Sequence, residues 1–154
     1  MYLHELLPVV ISCVVSKQLC QGAKENHWAL RTYASRVLSL ISRNFTTTTT
    51  MLQYRIVKSL SKPLENQDAA FPQIYGSIVG LAELGSEVIR RTILPKLRRI
   101  SEKIEAVQVS GALLVKFVLM KYFRKTQENH QPTHNMLESS MLLMRQDVPV
   151  SKEN

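Results

Sequence analysis

The sequence predicts an all-α fold, a solenoid of about three stacked helix pairs. Three observations carry that reading. Tyr33-Ala34-Ser35-x-Val37 is echoed 42 residues later by Tyr75-Gly76-Ser77-x-Val79. Leu7-Pro8-x-Val10 is echoed 87 residues later by Leu94-Pro95-x-Leu97, close to twice that step. Apolar residues recur at helical spacing through six segments, without strand-like alternation and with only 5 glycines in 154 residues.

A step of about 40–47 residues is that of HEAT-like and armadillo-like helical repeats. One such pair cannot bury its apolar face alone, so neighbours stack and leave a long outer surface for partners. Scaffolding is therefore the first functional reading. At 154 residues the chain has room for one domain. A chain of this size buries roughly 70% of its unfolded surface, which folds it without metal or disulfide.

The elements follow in order. Helix one is expected from about Leu3 to Cys20, with Leu3, Leu6, Leu7, Val10, Ile11, Val14 and Leu19 on one stripe and Gly22 closing it. Pro8 lies one turn in, as a kink or a fresh start. Asn26 is the expected N-cap of helix two, whose stripe is Leu30, Ala34, Val37, Leu38, Ile41 and Phe45. The run Thr46–Thr50 suits a connection, one hydroxyl of which caps helix three. That helix uses Leu52, Ile56, Leu60 and Leu64, and Pro63 with Glu65–Asp68 reads as the next loop. Pro72 opens helix four, which ends at Gly85. Gly76 and Gly80 lie one turn apart inside it, each costing roughly 1 kcal/mol relative to alanine, so another backbone is expected to approach there. Ser86 is the expected cap of helix five, with Ile89, Ile93, Leu97, Ile100, Ile104 and Val107 on its stripe and a bend at Pro95. Helix six, about Ser110 to Glu128, is the most apolar, with Leu113, Leu114, Phe117, Val118, Met120, Tyr122 and Phe123. These divide the chain into a helical domain, 1–128, and a polar tail, 129–154, read as a weak helix or disordered, with Asn135 and Glu138 as a capping box.

Cys13 and Cys20, placed on one helix, would stand about 10.5 Å apart along its axis, too far for a disulfide. They read as buried thiols of a reducing compartment, cytosolic or nuclear. The apolar run Leu6–Val15 lacks a basic leader and is shorter than the roughly 20 residues that cross a bilayer. The chain is expected to be soluble, with no membrane partner.

Chemistry-bearing patterns are sparse. The sequence has no Gly-rich phosphate loop, His-Glu-x-x-His, Cys-x-x-Cys or Gly-x-Ser-x-Gly. No catalytic residue, cofactor, metal or small-molecule substrate is expected. Glu83 and Glu87 straddle Gly85 and read as solvated. His130 and His134 flank Pro132 without a third ligand; His4 and His27 are isolated. Trp28 reads as a core anchor at the start of helix two.

Charge is the polar feature above background. Of the net +8, residues 86–128 carry +6, residues 1–85 carry +3 and the last 26 carry −1. Arg90, Arg91, Lys96, Arg98, Arg99 and Lys103 form the candidate surface for an acidic partner or the DNA backbone, with Tyr75 expected beside it. On a regular helix Arg91, Arg98 and, less closely, Lys103 gather on one face. Direct binding of nucleic acid is the alternative function; such contact would be non-specific and salt-sensitive. Self-association is left open. Trp28, Tyr33, Gly76, Gly80, Gly85 and Pro95 are expected to be structural positions of the repeats.

Asn26-His27-Trp28-Ala29-Leu30-Arg31, Phe45-Thr46-Thr47-Thr48, Tyr75 through Gly85, and Ile93-Leu94-Pro95-Lys96-Leu97 closely resemble the C-terminal HEAT-repeat region of the TFIID subunit 6 family, TATA-binding-protein-associated factors. The resemblance covers about Leu6 to Val107. It implies a non-enzymatic nuclear scaffold for RNA polymerase II initiation, in contact with other TFIID subunits or with subunits of related histone-acetylating coactivator complexes. Full-length members of that family carry an N-terminal histone fold. This sequence opens at a HEAT helix, so a fragment, a truncated form or a divergent relative is expected, and histone-fold pairing is not carried over.

Overall fold

The computed structural model describes residues 2–20, 26–47, 51–107 and 109–128. Among them every regular element is helical. The elements are α1 (Leu3–Val15), α2 (His27–Phe45), α3 (Leu52–Glu65) and α4 (Phe71–Glu83), a broken helical run over 86–105 that ends in α5 (Leu97–Glu105), and α6 (Ser110–Glu128). They pack as three pairs, α1 on α2, α3 on α4 and α5 on α6. Helices α2, α4 and α6 form one layer with α4 in the middle, while α1 and α3 touch in the other. This is the expected all-α, HEAT-like stack. Gly22, Thr48–Thr50 and the whole 129–154 tail, with its Asn135–Glu138 box and His130–His134 pair, lie outside the described residues.

Local chemistry sets most boundaries. Asn26 caps α2 as expected, its Oδ1 accepting from the Ala29 N–H at 3.2 Å. Pro72 sits in the first turn of α4, and the Gln73 side chain returns to the Ala70 N–H at 3.0 Å. Gly85 ends that helix at φ 130°, a backbone that side chains with a Cβ rarely adopt.

Several expectations need correction. α1 stops at Val15, not Cys20, because Ser16 turns extended. Cys13 and Cys20 therefore do not share a helix, and both are half-buried rather than buried. Helix α1 runs unbroken through Pro8, with Leu6 exposed. The position before α3 is Met51, at φ 42° without a side-chain cap of its own; the threonines at 48–50, among the expected caps, lie outside the described residues. Pro63 lies inside α3, not in the loop; burial of Leu60 and Leu64 carries the helix on to Glu65.

The segment read as helix five is the most altered. Its N-cap is Gly85, not Ser86. One α turn (Ser86–Val88) gives way to a π turn (Ile89–Ile93) and a 3-10 turn (Leu94–Lys96) before α5. Pro95 lacks an N–H and its ring would strike the carbonyl four residues back, so the ladder must shift register around it. Ile89, Ile93, Leu97, Ile100 and Ile104 still face the core, while Val107 is exposed. Pro8 and Pro95 thus echo in sequence but not in backbone.

The close approach expected at the paired glycines is present. A Cβ on Gly76 would lie 1.9 Å from the Val14 carbonyl oxygen, and one on Gly80 would lie 2.8 Å from Leu60 Cδ1. Helix α4 is buried without interruption from Ile74 to Ala82. Ser77 within it holds a buried Oγ with no hydrogen-bond partner. Ser77→Ala should therefore be neutral or stabilising by up to about 1 kcal/mol; a clear drop in melting temperature would contradict that.

The tyrosine echo behaves unevenly. Ser35 and Ser77 are both fully buried, but Tyr33 is 67% exposed and Tyr75 only 9%. Tyr75 faces back onto α2: its ring meets Trp28 edge-on at 4.9 Å and its hydroxyl lies 3.1 Å from Thr32 Oγ1. Among the described residues no helix of the α2 layer packs on Tyr33 as α2 packs on Tyr75.

Candidate functional site

The expected basic surface is divided by the structure. Lys96 Nζ pairs with Glu65 Oε1 at 2.6 Å. This hydrogen bond and the lysine charge hold the Glu65 carboxyl below its ordinary range. Lys103 Nζ donates to the Gln67 and Ala69 carbonyls at 2.6 and 2.5 Å. Both lysines fasten the helical run to the α3–α4 connection and are not available to a partner as expected. A single 100° wheel cannot be carried across the π and 3-10 turns that separate Arg91 from Arg98, and Lys103, though on α5 with Arg98, is drawn to the Gln67 and Ala69 carbonyls, so the expected shared face does not follow.

The arginines stay outside. Arg91 and Arg98 are exposed, and each bonds the i±4 glutamate, Arg91 to Glu87 at 2.7 Å and Arg98 to Glu102 at 3.0 Å. Exposed pairs of this kind contribute about 0.3–0.5 kcal/mol and yield easily to a competing anion. Arg99 is exposed and Arg90 half-buried. Tyr75 is buried between helices and cannot line this surface. Glu83 also departs from expectation: its carboxylate accepts from the Tyr122 hydroxyl at 2.9 Å, and its carbonyl from Ser39 Oγ at 2.8 Å. Burial, then the Glu83 carboxylate, pushes the Tyr122 phenol well above its ordinary value.

A buried polar hub was not foreseen. Arg31 is 0% exposed. Its Nη1 donates to the Val14 carbonyl at 2.8 Å, its Nη2 to the Ser16 carbonyl at 2.7 Å and its Nε to His27 Nδ1 at 3.3 Å. The guanidinium closes the C-terminus of α1, where a cation also meets the negative end of the helix dipole. The signal was present: Arg31 shares the stripe of Ala34, Leu38 and Ile41, where a solvated arginine does not belong.

His27 is held below its ordinary value of 6.5, first by burial and then by the Arg31 charge. The unfolded chain binds a proton that the folded chain resists. Stability should therefore fall as pH drops through about 6.5 and level off below the depressed folded value. Melting temperatures at pH 7.5 and 5 should diverge more for the wild-type chain than for His27→Gln; equal losses would refute the assignment.

Among the described residues no group of three His, Cys, Asp or Glu is placed to hold a metal ion. No described helix is long and apolar enough to cross a membrane.

The comparisons with known proteins agree with the fold. Residues 1–98 match the family described as the TAF6 C-terminal HEAT repeat domain. The chain belongs to the TAF6 C-terminal HEAT-repeat family. It is similar to transcription initiation factor TFIID subunit 6 of Drosophila melanogaster, 52% identical over 105 residues, 68% of this chain and 17% of the relative. The Arabidopsis thaliana subunit 6 is 42% identical over 96 residues, 62% of this chain and 18% of the relative. A Schizosaccharomyces pombe relative named SAGA complex/transcription factor TFIID complex subunit Taf6 is 28% identical over 98 residues, 63% of this chain and 22% of the relative. The chain thus spans about a fifth of the length of these relatives. The TAF6 family match takes in α1 to α4 and the basic run as far as Arg98, and stops ahead of Arg99, Lys103 and α6.

Proposed function

We propose that this chain is a non-enzymatic scaffold segment that holds protein subunits together in TFIID, and in related coactivator complexes, during assembly of the polymerase II preinitiation complex in the nucleus. The TAF6 family match over residues 1–98 carries this reading. The relatives named as TFIID and SAGA subunits supply the complexes. The stacked helices supply the means, since a HEAT-like stack presents long faces to partners.

Arg91, Arg98 and Arg99 favour an acidic protein on the outer face of the 86–105 run. Direct DNA binding is the weaker reading. Lys96 and Lys103 are engaged within the fold, and Arg91 and Arg98 carry carboxylates beside them. The test is a pull-down from nuclear extract with folded, tagged chain. Recovery of TFIID subunits supports the scaffold; recovery of none, from protein with a cooperative melt, overturns it.

A further inference from the structure

A recess of about 260 Å³ opens between the end of α3 and α5. It lies in mid-chain, and every residue that lines it is described. Pro63, Leu64, Ile74 and Ile100 supply an apolar floor, where core side chains show an edge. Two lysines hold the walls in place. Lys96 ties the helical run to Glu65, and Lys103 ties α5 to the Gln67 and Ala69 carbonyls. Ile100 falls between these ties in the chain, so the recess is formed before any ligand arrives.

The charge around it is positive. Arg99, also between the two ties, lines the recess, is exposed, and makes no hydrogen bond or ion pair among the described residues. Lys103 bonds neutral carbonyls, so no carboxylate cancels its charge. Glu102 on the rim is held by Arg98, and Glu65 by Lys96. Asp68, on the α3–α4 connection, is the carboxylate that stays unpaired there. On the outer side of α3, exposed Arg55, Lys58 and Lys62 follow at steps of three and four. The α3 helix has no acidic residue except Glu65. Arg99 is near enough to that carboxyl to lower it, and so continues the stripe past the end of α3.

Size and charge together select the occupant. The recess is smaller than the roughly 300–1,000 Å³ that encloses a drug-sized molecule, so it suits one large apolar side chain. A DNA backbone could meet the cations but has no apolar group to fill the floor. An acidic peptide with an apolar anchor meets both. We propose that the recess between α3 and α5 docks an acidic segment of a partner protein, one apolar side chain entering it and carboxylates lying along Arg99 and the Arg55–Lys58–Lys62 stripe. This rests on the reading of the chain as an interaction scaffold and gives that scaffold a site and a partner chemistry.

The test uses the full chain and a short labelled peptide, one phenylalanine flanked by glutamates on both sides. Its controls replace the phenylalanine by serine, or every glutamate by lysine. Fluorescence anisotropy should show saturable binding of the probe, at least about tenfold tighter than either control. The methyl resonances of Ile74 and Ile100 should shift with the probe and not with the serine control. Arg99→Glu, and separately Lys58→Glu with Lys62→Glu, should each weaken binding about tenfold or more with melting temperature preserved. Arg36→Glu, the same charge change on exposed α2, should alter it less than about twofold, because salt screens so distant a charge. No binding of the probe, equal binding of the serine control, or full binding by both charge variants overturns the proposal. Duplex DNA that binds with loss on Arg99→Glu, where the probe does not bind, would make nucleic acid the occupant. Contacts from the Ile74 and Ile100 methyls to residues 129–154 in the free chain would make it the chain's own tail. Either result also overturns it. The nuclear pull-down is read independently: subunits recovered without probe binding would sink this inference and leave the scaffold reading standing.

Discussion

Gly76→Ala should destabilise the chain by about 3 kcal/mol or more, the upper end of the overpacking range. A methyl group at this position would stand 1.9 Å from the Val14 oxygen and 2.9 Å from its carbon. Both are backbone atoms at the end of α1, so no rotamer change relieves the clash; α1 or α4 must move. The Val14 oxygen is already held by Arg31 Nη1, which makes that movement costlier. Gly80→Ala is the internal control. Its methyl group would meet chiefly Leu60 Cδ1 at 2.8 Å, the far end of a flexible side chain, so a loss of about 1 kcal/mol is expected. Urea denaturation of both variants checks the order. Equal or reversed effects would mean that α1 does not press on α4 as described.

Arg31→Met should cost about 2–5 kcal/mol, because each buried acceptor left without its donor costs about 1–3 kcal/mol. Methionine keeps much of the volume but supplies no donor. The Val14 and Ser16 carbonyls then lose the groups that close α1, and His27 Nδ1 loses its donor. The damage should be local to α1 first: its amides should gain hydrogen exchange relative to those of α4. Arg31→Lys should recover only part of the loss, because an ammonium cannot present the planar fork that spans two carbonyls and an imidazole. A methionine variant as stable as wild type would remove the hub from the account.

The sequence made the fold legible wherever one stripe was apolar and its back polar. Helix α3 shows this, with Leu52, Ile56, Leu60 and Leu64 all buried as read. It failed where a helix is apolar all round. In α6 the periodicity could not choose a face: Leu113 and Phe117, as apolar as their neighbours, are exposed while Ala112, Val115 and Leu119 are buried. In α2 the same ambiguity placed Leu30 inside and left the serines out. Glycine spacing predicted the contact at Gly76 because only a close backbone explains two such residues one turn apart. Nothing local could announce that Lys96 and Lys103 reach Glu65, Gln67 and Ala69, since those partners lie more than thirty residues away. The basic run was therefore readable as charge, but not as two structural lysines and a set of exposed arginines. Tyr75 was misplaced for a related reason: its packing on α2 depends on a repeat neighbour that composition does not reveal.

The central claim is that three helix pairs stack with α4 enclosed between α2 and α6. Native-state hydrogen exchange at low denaturant tests it most directly, because a helix covered on all sides opens only when the whole domain does. The account predicts that the amides of Ile74 to Ala82 exchange with the free energy of global unfolding, while those on the outer turns of α1 and α6 exchange sooner. Residues 74–82 exchanging as fast as the outer turns would show that α4 is not the middle of a stack.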